Sequence, residues 1–108
     1  MKKGEIWVIE FPSKGQREQK GIRPGLVIVD TKTDLILTIP LTSNLQALRF
    51  PNTIEIKKSE DNKLEKDSVA LLFHLQSLDK RRFIKKIGEV EKEYIEKVDI
   101  ALKRLLRF

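Results

Sequence analysis

Three stretches of this 108-residue chain concentrate side chains that can do chemistry. The first is Glu18-Gln19-Lys20-Gly21-Ile22-Arg23-Pro24, which places an arginine at the lip of the apolar run beginning at Gly25. Pro24 fixes one backbone dihedral and restricts the residue before it, so Arg23 is held at a defined place. A guanidinium fork matches phosphate oxygens, and the preceding polar loop adds Lys14, Arg17 and Lys20. The segment reads either as a phosphate clamp or as an arginine that satisfies loop carbonyls or pairs with Glu18. The second stretch, Pro40-Leu41-Thr42-Ser43-Asn44, ends an apolar run in three consecutive hydrogen-bonding side chains, which bind phosphate or cap a turn. The third runs from Phe73 to Arg82 and holds His74, the single histidine, together with Gln76, Lys80 and Arg81. As the chain's one imidazole, His74 is either a general base or a structural histidine packed on a strand.

Composition removes several alternatives. Zero cysteines exclude a disulfide scaffold, a thiol nucleophile and a cysteine-type zinc site, and one histidine argues against a multi-ligand transition-metal site. No G-x-S-x-G, H-E-x-x-H, Walker A or G-x-G-x-x-G string is present. No apolar stretch approaches the roughly 18–20 residues of a membrane span, and no signal-peptide core follows Lys2-Lys3. The expectation is one cytoplasmic domain over residues 1–108.

The net charge of +6 is unevenly spread. Residues 1–23 carry six basic and three acidic side chains, residues 24–78 six and seven, and residues 79–108 ten and six. Two basic ends folded onto one face would suit a polyanion. The other reading is a solvated surface, since Lys and Glu supply 25 residues, a bias of heat-adapted proteins. The lysines of the final helix fit that second reading, while the charge around Arg23 and Lys80-Arg81-Arg82 fits the first.

These groups need elements to position them. Glu5 to Phe11 is β-branched and aromatic without a breaker, which predicts a strand. A polar loop over 12–24 follows, then strands over Gly25–Asp30 and Leu35–Leu41. Ile54 and Ile56 alternate with polar residues, Ser68 to Leu75 is a further apolar run, and Phe83 to Ile87 a shorter one. From Tyr94 the apolar spacing changes to three and four, predicting an amphipathic helix over about Glu91–Leu106 with Gly88 as the break before it. Five or six short strands and one terminal helix argue for a small antiparallel barrel rather than a βαβ fold.

Taken together, the clusters resemble the PemK/MazF-type toxins of toxin–antitoxin modules over essentially the whole chain. The matching strings are Gly4-Glu5-Ile6-Trp7-Val8, the Glu18–Pro24 segment, Ile39-Pro40-Leu41-Thr42-Ser43, Asp67-Ser68-Val69, Leu78-Asp79-Lys80-Arg81 and Lys86-Ile87-Gly88-Glu89. Each is weak alone; their order and spacing carry the resemblance. It implies an SH3-like barrel with a C-terminal helix, usually a homodimer. It also implies a sequence-specific endoribonuclease that cleaves single-stranded RNA without metal or cofactor and is restrained by an acidic antitoxin.

Residue by residue, the family's arginine falls on Arg23 and its threonine on Thr42, with Glu18 and Gln19 at the acidic and amide positions of the loop and Ser43 after the threonine. The RNA-binding set implied is Lys14, Arg17, Gln19, Lys20, Ser43, His74, Gln76, Lys80 and Arg81. The chain departs from the pattern where many members have Asp-Gln-hydrophobic-Arg-Thr and it has Phe73-His74-Leu75-Gln76-Ser77. The cleavage sequence is therefore not carried over, and loss of that arginine removes a phosphate contact. His74 can replace it in part by stacking on a base. Two alternatives stand on the same scaffold: a non-cleaving toxin directed at a protein such as gyrase, and a nucleic-acid-binding regulator with weakened catalysis.

Overall fold

The computed structural model describes residues 1–12 and 21–107. Among the described residues, seven strands are followed by one α-helix: β1 (Glu5–Phe11), β2 (Gly21–Asp30), β3 (Leu35–Thr42), β4 (Thr53–Ile56), β5 (Ser68–Leu71), β6 (Gln76–Asp79), β7 (Phe83–Glu89) and α1 (Lys92–Leu106). All pairings are antiparallel, in the order β4-β5-β3-β2-β1-β7, with β6 also on β3. β3 is shared: Leu35–Thr38 pair with β6, while Leu41 and Thr42 pair with β5. Register shifts in β1–β7 and β2–β3 bend the sheet, as extra residues in one strand of a ladder do. The result is a curled, unclosed sheet capped by a helix, in agreement with the mainly-β architecture expected from the sequence.

The main core joins Ile6, Leu26, Ile28, Ile39, Leu41, Ile56 and Leu72 of the sheet side to Val98 and Leu102 of α1. A smaller cluster of Ile9, Phe11 and Leu78, with Trp7 and Phe83 against it, sits apart from it. β2 is buried at four consecutive residues, Gly25–Ile28, which is why it reads as a continuous apolar run.

Four boundaries differ from the sequence expectation. β2 begins at Gly21 rather than Gly25, because Pro24 pairs with Val8 of β1 only, beyond the last β2–β3 pair at Gly25/Pro40. A missing N–H is tolerated where one flank has no ladder to feed. The run Ser68–Leu75 breaks into β5 and a 3-10 turn over Leu72–His74, giving β6 as a separate strand and seven strands in place of five or six.

Gly88 lies inside β7 and not at a break. A Cβ there would stand 2.6 Å from the Asn62 carbonyl oxygen and 2.7 Å from that of Asp61. Glycine is needed for close backbone approach, not for a turn. The helix starts at Lys92 with Glu91 as its cap, one residue from the expected start.

Candidate active site

The site forms where the β2–β3 ladder stops. Carrying the register of the Gly25/Pro40 pair two residues further sets Arg23 across from Thr42. Both line a cleft of about 810 Å³, closed on its other sides by the 57–67 segment (Lys63, Glu65, Lys66) and by Lys85 and Lys86 of β7.

Arg23 is positioned by its neighbours in β1. It pairs with Ile9, and its guanidinium carbon lies 5.3 Å from the centre of the buried Phe11 ring. A cation over an aromatic face is attracted to it, which favours this position of the guanidinium. Among the described residues, Arg23 Nε is buried and has no hydrogen-bond partner. A buried donor left unsatisfied costs about 1–3 kcal/mol, so an anion that accepts from it relieves the cost.

Thr42 is the last residue of β3. Its Oγ1 accepts the Asn44 backbone N–H at 3.2 Å, which orients the hydroxyl. Asn44 in turn caps the 3-10 turn Leu45–Arg49 by accepting from the Gln46 N–H at 3.1 Å. The two readings of this stretch therefore coexist: the oxygen of Thr42 serves the turn, and its proton can be donated into the cleft. Ser43 is exposed and lines the cleft beside it.

The far wall is held by buried polar groups. Asn62 is fully buried; its Oδ1 accepts from the backbone N–H groups of Ser59 and Leu64, and its Nδ2 donates to the Lys57 carbonyl and to Glu91 Oε1. The Glu89 N–H donates to the Asp61 carbonyl at 3.2 Å, beside the tight contact at Gly88. Lys86 stands 3.5 Å from Glu5 and 3.6 Å from Glu89.

The other residues singled out in the sequence lie elsewhere. Lys14, Arg17, Glu18, Gln19 and Lys20 fall outside the described residues. His74 is exposed at the end of the Leu72–His74 turn, its ring 4.8 Å from that of Phe73, and it does not line the cleft. Gln76 starts β6 and donates from Nε2 to the His74 carbonyl. Lys80 lies 3.8 Å from Asp30, and Arg81 makes a two-point bond to Asp79, with 3.1 Å from both Nε and Nη2. Sequence reading missed Lys63, Lys66 and Lys85, because the first two sit in the one segment whose charge is slightly negative. Among the described residues, no group of three or more His, Cys, Asp or Glu side chains is placed to hold a metal, and no helix is long and apolar enough to cross a membrane.

Three carboxylates are held below their ordinary range. Burial pushes Glu5 up, but the Trp7 indole N–H at 2.8 Å, the Lys2 backbone and the Lys86 ammonium outweigh it. The Lys32 backbone N–H and the N-terminal amine lower Asp30, and Arg81 lowers Asp79. A carboxylate with a lowered folded pKa stabilises the fold in full above its unfolded value of about 4, and the contribution is lost as pH falls through the folded value. Tm is therefore expected to be flat from pH 7 to about 5 and to fall below about 4. Asp30→Asn should flatten that acid limb; an unaltered limb would show that Asp30 does not contribute to it.

A curled antiparallel sheet with a terminal helix, and a cleft lined by an arginine, a threonine and several lysines, define a small mainly-β protein with a basic cleft. Comparison with known proteins makes the class specific. The family model of the PemK-like, MazF-like toxins of type II toxin–antitoxin systems matches residues 2–106. The chain belongs to this family. It is 30% identical over 106 residues to the Endoribonuclease MazF of Staphylococcus saprophyticus, covering 94% of this chain and 88% of that one. The crystal structure of MazF from Deinococcus radiodurans superimposes with a TM-score of 0.79 at 26% identity, covering 98% of this chain and 96% of that one. A mycobacterial endoribonuclease solved in complex with its cognate antitoxin shares the fold, with a TM-score of 0.76 at 17% identity over 98% of this chain and 94% of that one.

Proposed function

We propose that the chain is the toxin of a toxin–antitoxin pair and acts as a metal-independent endoribonuclease on single-stranded RNA. The observation that carries this reading is the placement in one cleft of the Thr42 hydroxyl and of Arg23, whose buried Nε has no hydrogen-bond partner among the described residues. Cleavage proceeds by in-line attack of the ribose 2′-OH on the adjacent phosphorus. The O2′–P bond forms, the P–O5′ bond breaks, one proton leaves the 2′-OH and one reaches the departing 5′-oxygen. The products are a 2′,3′-cyclic phosphate and a 5′-OH.

Each residue has a stated task. Arg23 neutralises the charge that grows on the phosphorane and hydrogen-bonds the leaving oxygen. Thr42 donates to a non-bridging oxygen. The guanidinium of Arg23 carries its full set of protons and can accept none, so the carboxylate of Glu18 is assigned as the base. Lys14, Arg17, Gln19, Lys20 and Ser43 contact the RNA backbone near the scissile bond, and His74, Gln76, Lys80 and Arg81 meet the strand further out. The protein works in the cytoplasm as a homodimer, for which exposed Leu45, Leu48, Phe50 and Phe73 offer apolar surface, and an acidic antitoxin restrains it.

The test is incubation of purified protein with end-labelled single-stranded RNA in EDTA. Cleavage with cyclic-phosphate ends is expected. Thr42→Val is expected to lower kcat by about 100-fold, the loss seen for one preorganised donor, while Thr42→Ser keeps most of it. Dependence on added metal, or equal rates for the two variants, would contradict this mechanism.

A further inference from the structure

The cleft holds more positive charge than the reaction at one phosphate needs. Besides Arg23 it is lined by Lys63, Lys66, Lys85 and Lys86, with Glu65 the one carboxylate among its described lining residues. The four lysines are not equivalent. Lys86 lies between Glu5 and Glu89, and both partners offset its charge. Lys63, Lys66 and Lys85 form no ion pair among the described residues, and all three are exposed.

Their backbones are the well-anchored part. Asn62 holds the 57–67 segment through four hydrogen bonds, and the Gly88 contact seats that segment on β7, which carries Lys85. The backbone that carries these three lysines, unpaired among the described residues, is thus anchored around the cleft that holds Arg23 and Thr42. Like charges held together without partners repel one another, so the arrangement is relieved when an extended polyanion lies along it. By contrast Lys80, Arg81 and Arg82, the densest basic run in the sequence, each already face a carboxylate.

We propose that Lys63, Lys66 and Lys85 form a phosphate-binding wall that grips the RNA backbone beside the scissile phosphate. The proposal rests on the endoribonuclease reading. The wall binds phosphates without reading bases, so it sets affinity and the path of the strand and not the cleavage sequence.

Salt dependence tests it. The probe is a fluorescein-labelled, all-2′-O-methyl RNA of about 20 nucleotides and mixed sequence, which the enzyme cannot cut. Each lost phosphate contact on a single strand reduces the slope of log K against log salt by about 0.7. The variant K63Q/K66Q/K85Q should therefore show a slope shallower by about 2 and at least about tenfold weaker binding at low salt. The control K92Q/K97Q/K103Q removes the same charge from α1 and should leave the slope within about 0.5 of wild type. Melting curves check that both variants fold. A slope unchanged in the first variant, or equally reduced in both, overturns the wall while the enzymatic reading stands. If the first variant keeps RNA binding but loses binding of poly-glutamate, the wall serves an acidic protein segment instead, which also overturns the proposal. No salt-dependent RNA binding by the wild type would overturn the endoribonuclease reading itself.

Discussion

Replacing Arg23 with alanine is expected to lower kcat/KM on single-stranded RNA by about 1,000-fold or more while leaving Tm unchanged or slightly raised. The size of the loss follows from asking one residue to neutralise the phosphorane and hydrogen-bond the leaving oxygen, a role that single arginines fill at about 10³–10⁵ in phosphoryl transfer. The stability side follows from the surroundings of the side chain. The cation–π contact with Phe11 contributes about 0.5–1 kcal/mol, but the buried Nε, without a partner among the described residues, costs at least as much. A group that is indifferent or costly to the fold yet needed for turnover is the signature of a functional residue. Arg23→Lys keeps the charge but loses the fork and should recover only a small part of the activity. Undiminished cleavage by Arg23→Ala would remove the assignment. A large drop in Tm with partial activity would make Arg23 a structural residue.

The second large effect is expected at Gly88, which has no side chain to take part in the reaction. An alanine methyl would stand within 3 Å of the Asn62 and Asp61 carbonyl oxygens, and these belong to backbone that cannot rotate aside. Overpacking of this kind costs about 1–3 kcal/mol, which for a chain of this size lowers Tm on the order of 10 °C. Activity should fall as well, because the displaced segment carries Lys63, Glu65 and Lys66 of the cleft wall. The measurement is paired melting and RNA-binding curves for Gly88→Ala. A Tm within a degree or two of wild type would mean that the 57–67 segment is not seated by this contact.

How much of the fold could be read from the sequence depends on whether a signal is local. β1, the buried part of β2 and the period of α1 are local, and the structure places them within a residue or a few of expectation. Pro24 and Gly88 mislead because each reads as a breaker. In the sheet, Pro24 sits where the β2–β3 ladder has already ended, and Gly88 sits where another backbone comes too close for a side chain. Only pairing partners distant in sequence reveal either.

The site divides in the same way. Arg23 and Thr42 stand at strand ends close to prolines, a local cue, and the fold brings them to one cleft. Lys63 and Lys66 lie in the segment with the least positive balance, and only the Asn62 hub and the Gly88 contact carry them to Lys85. The run at 80–82 draws attention by density, yet density in sequence does not measure free charge: Asp30, Asp79 and Glu10 face it.

A substrate comparison puts the mechanism to the sharpest test. An RNA cut by the wild-type protein is remade with a single 2′-deoxy residue immediately 5′ of the cleaved bond and assayed in EDTA beside the parent. Because the 2′-oxygen is the nucleophile, the parent is expected to be cut to cyclic-phosphate and 5′-OH ends, while the substituted strand stays intact at that bond. Cleavage of the deoxy-substituted bond would mean that water attacks instead, and would contradict the roles assigned to Arg23 and Thr42.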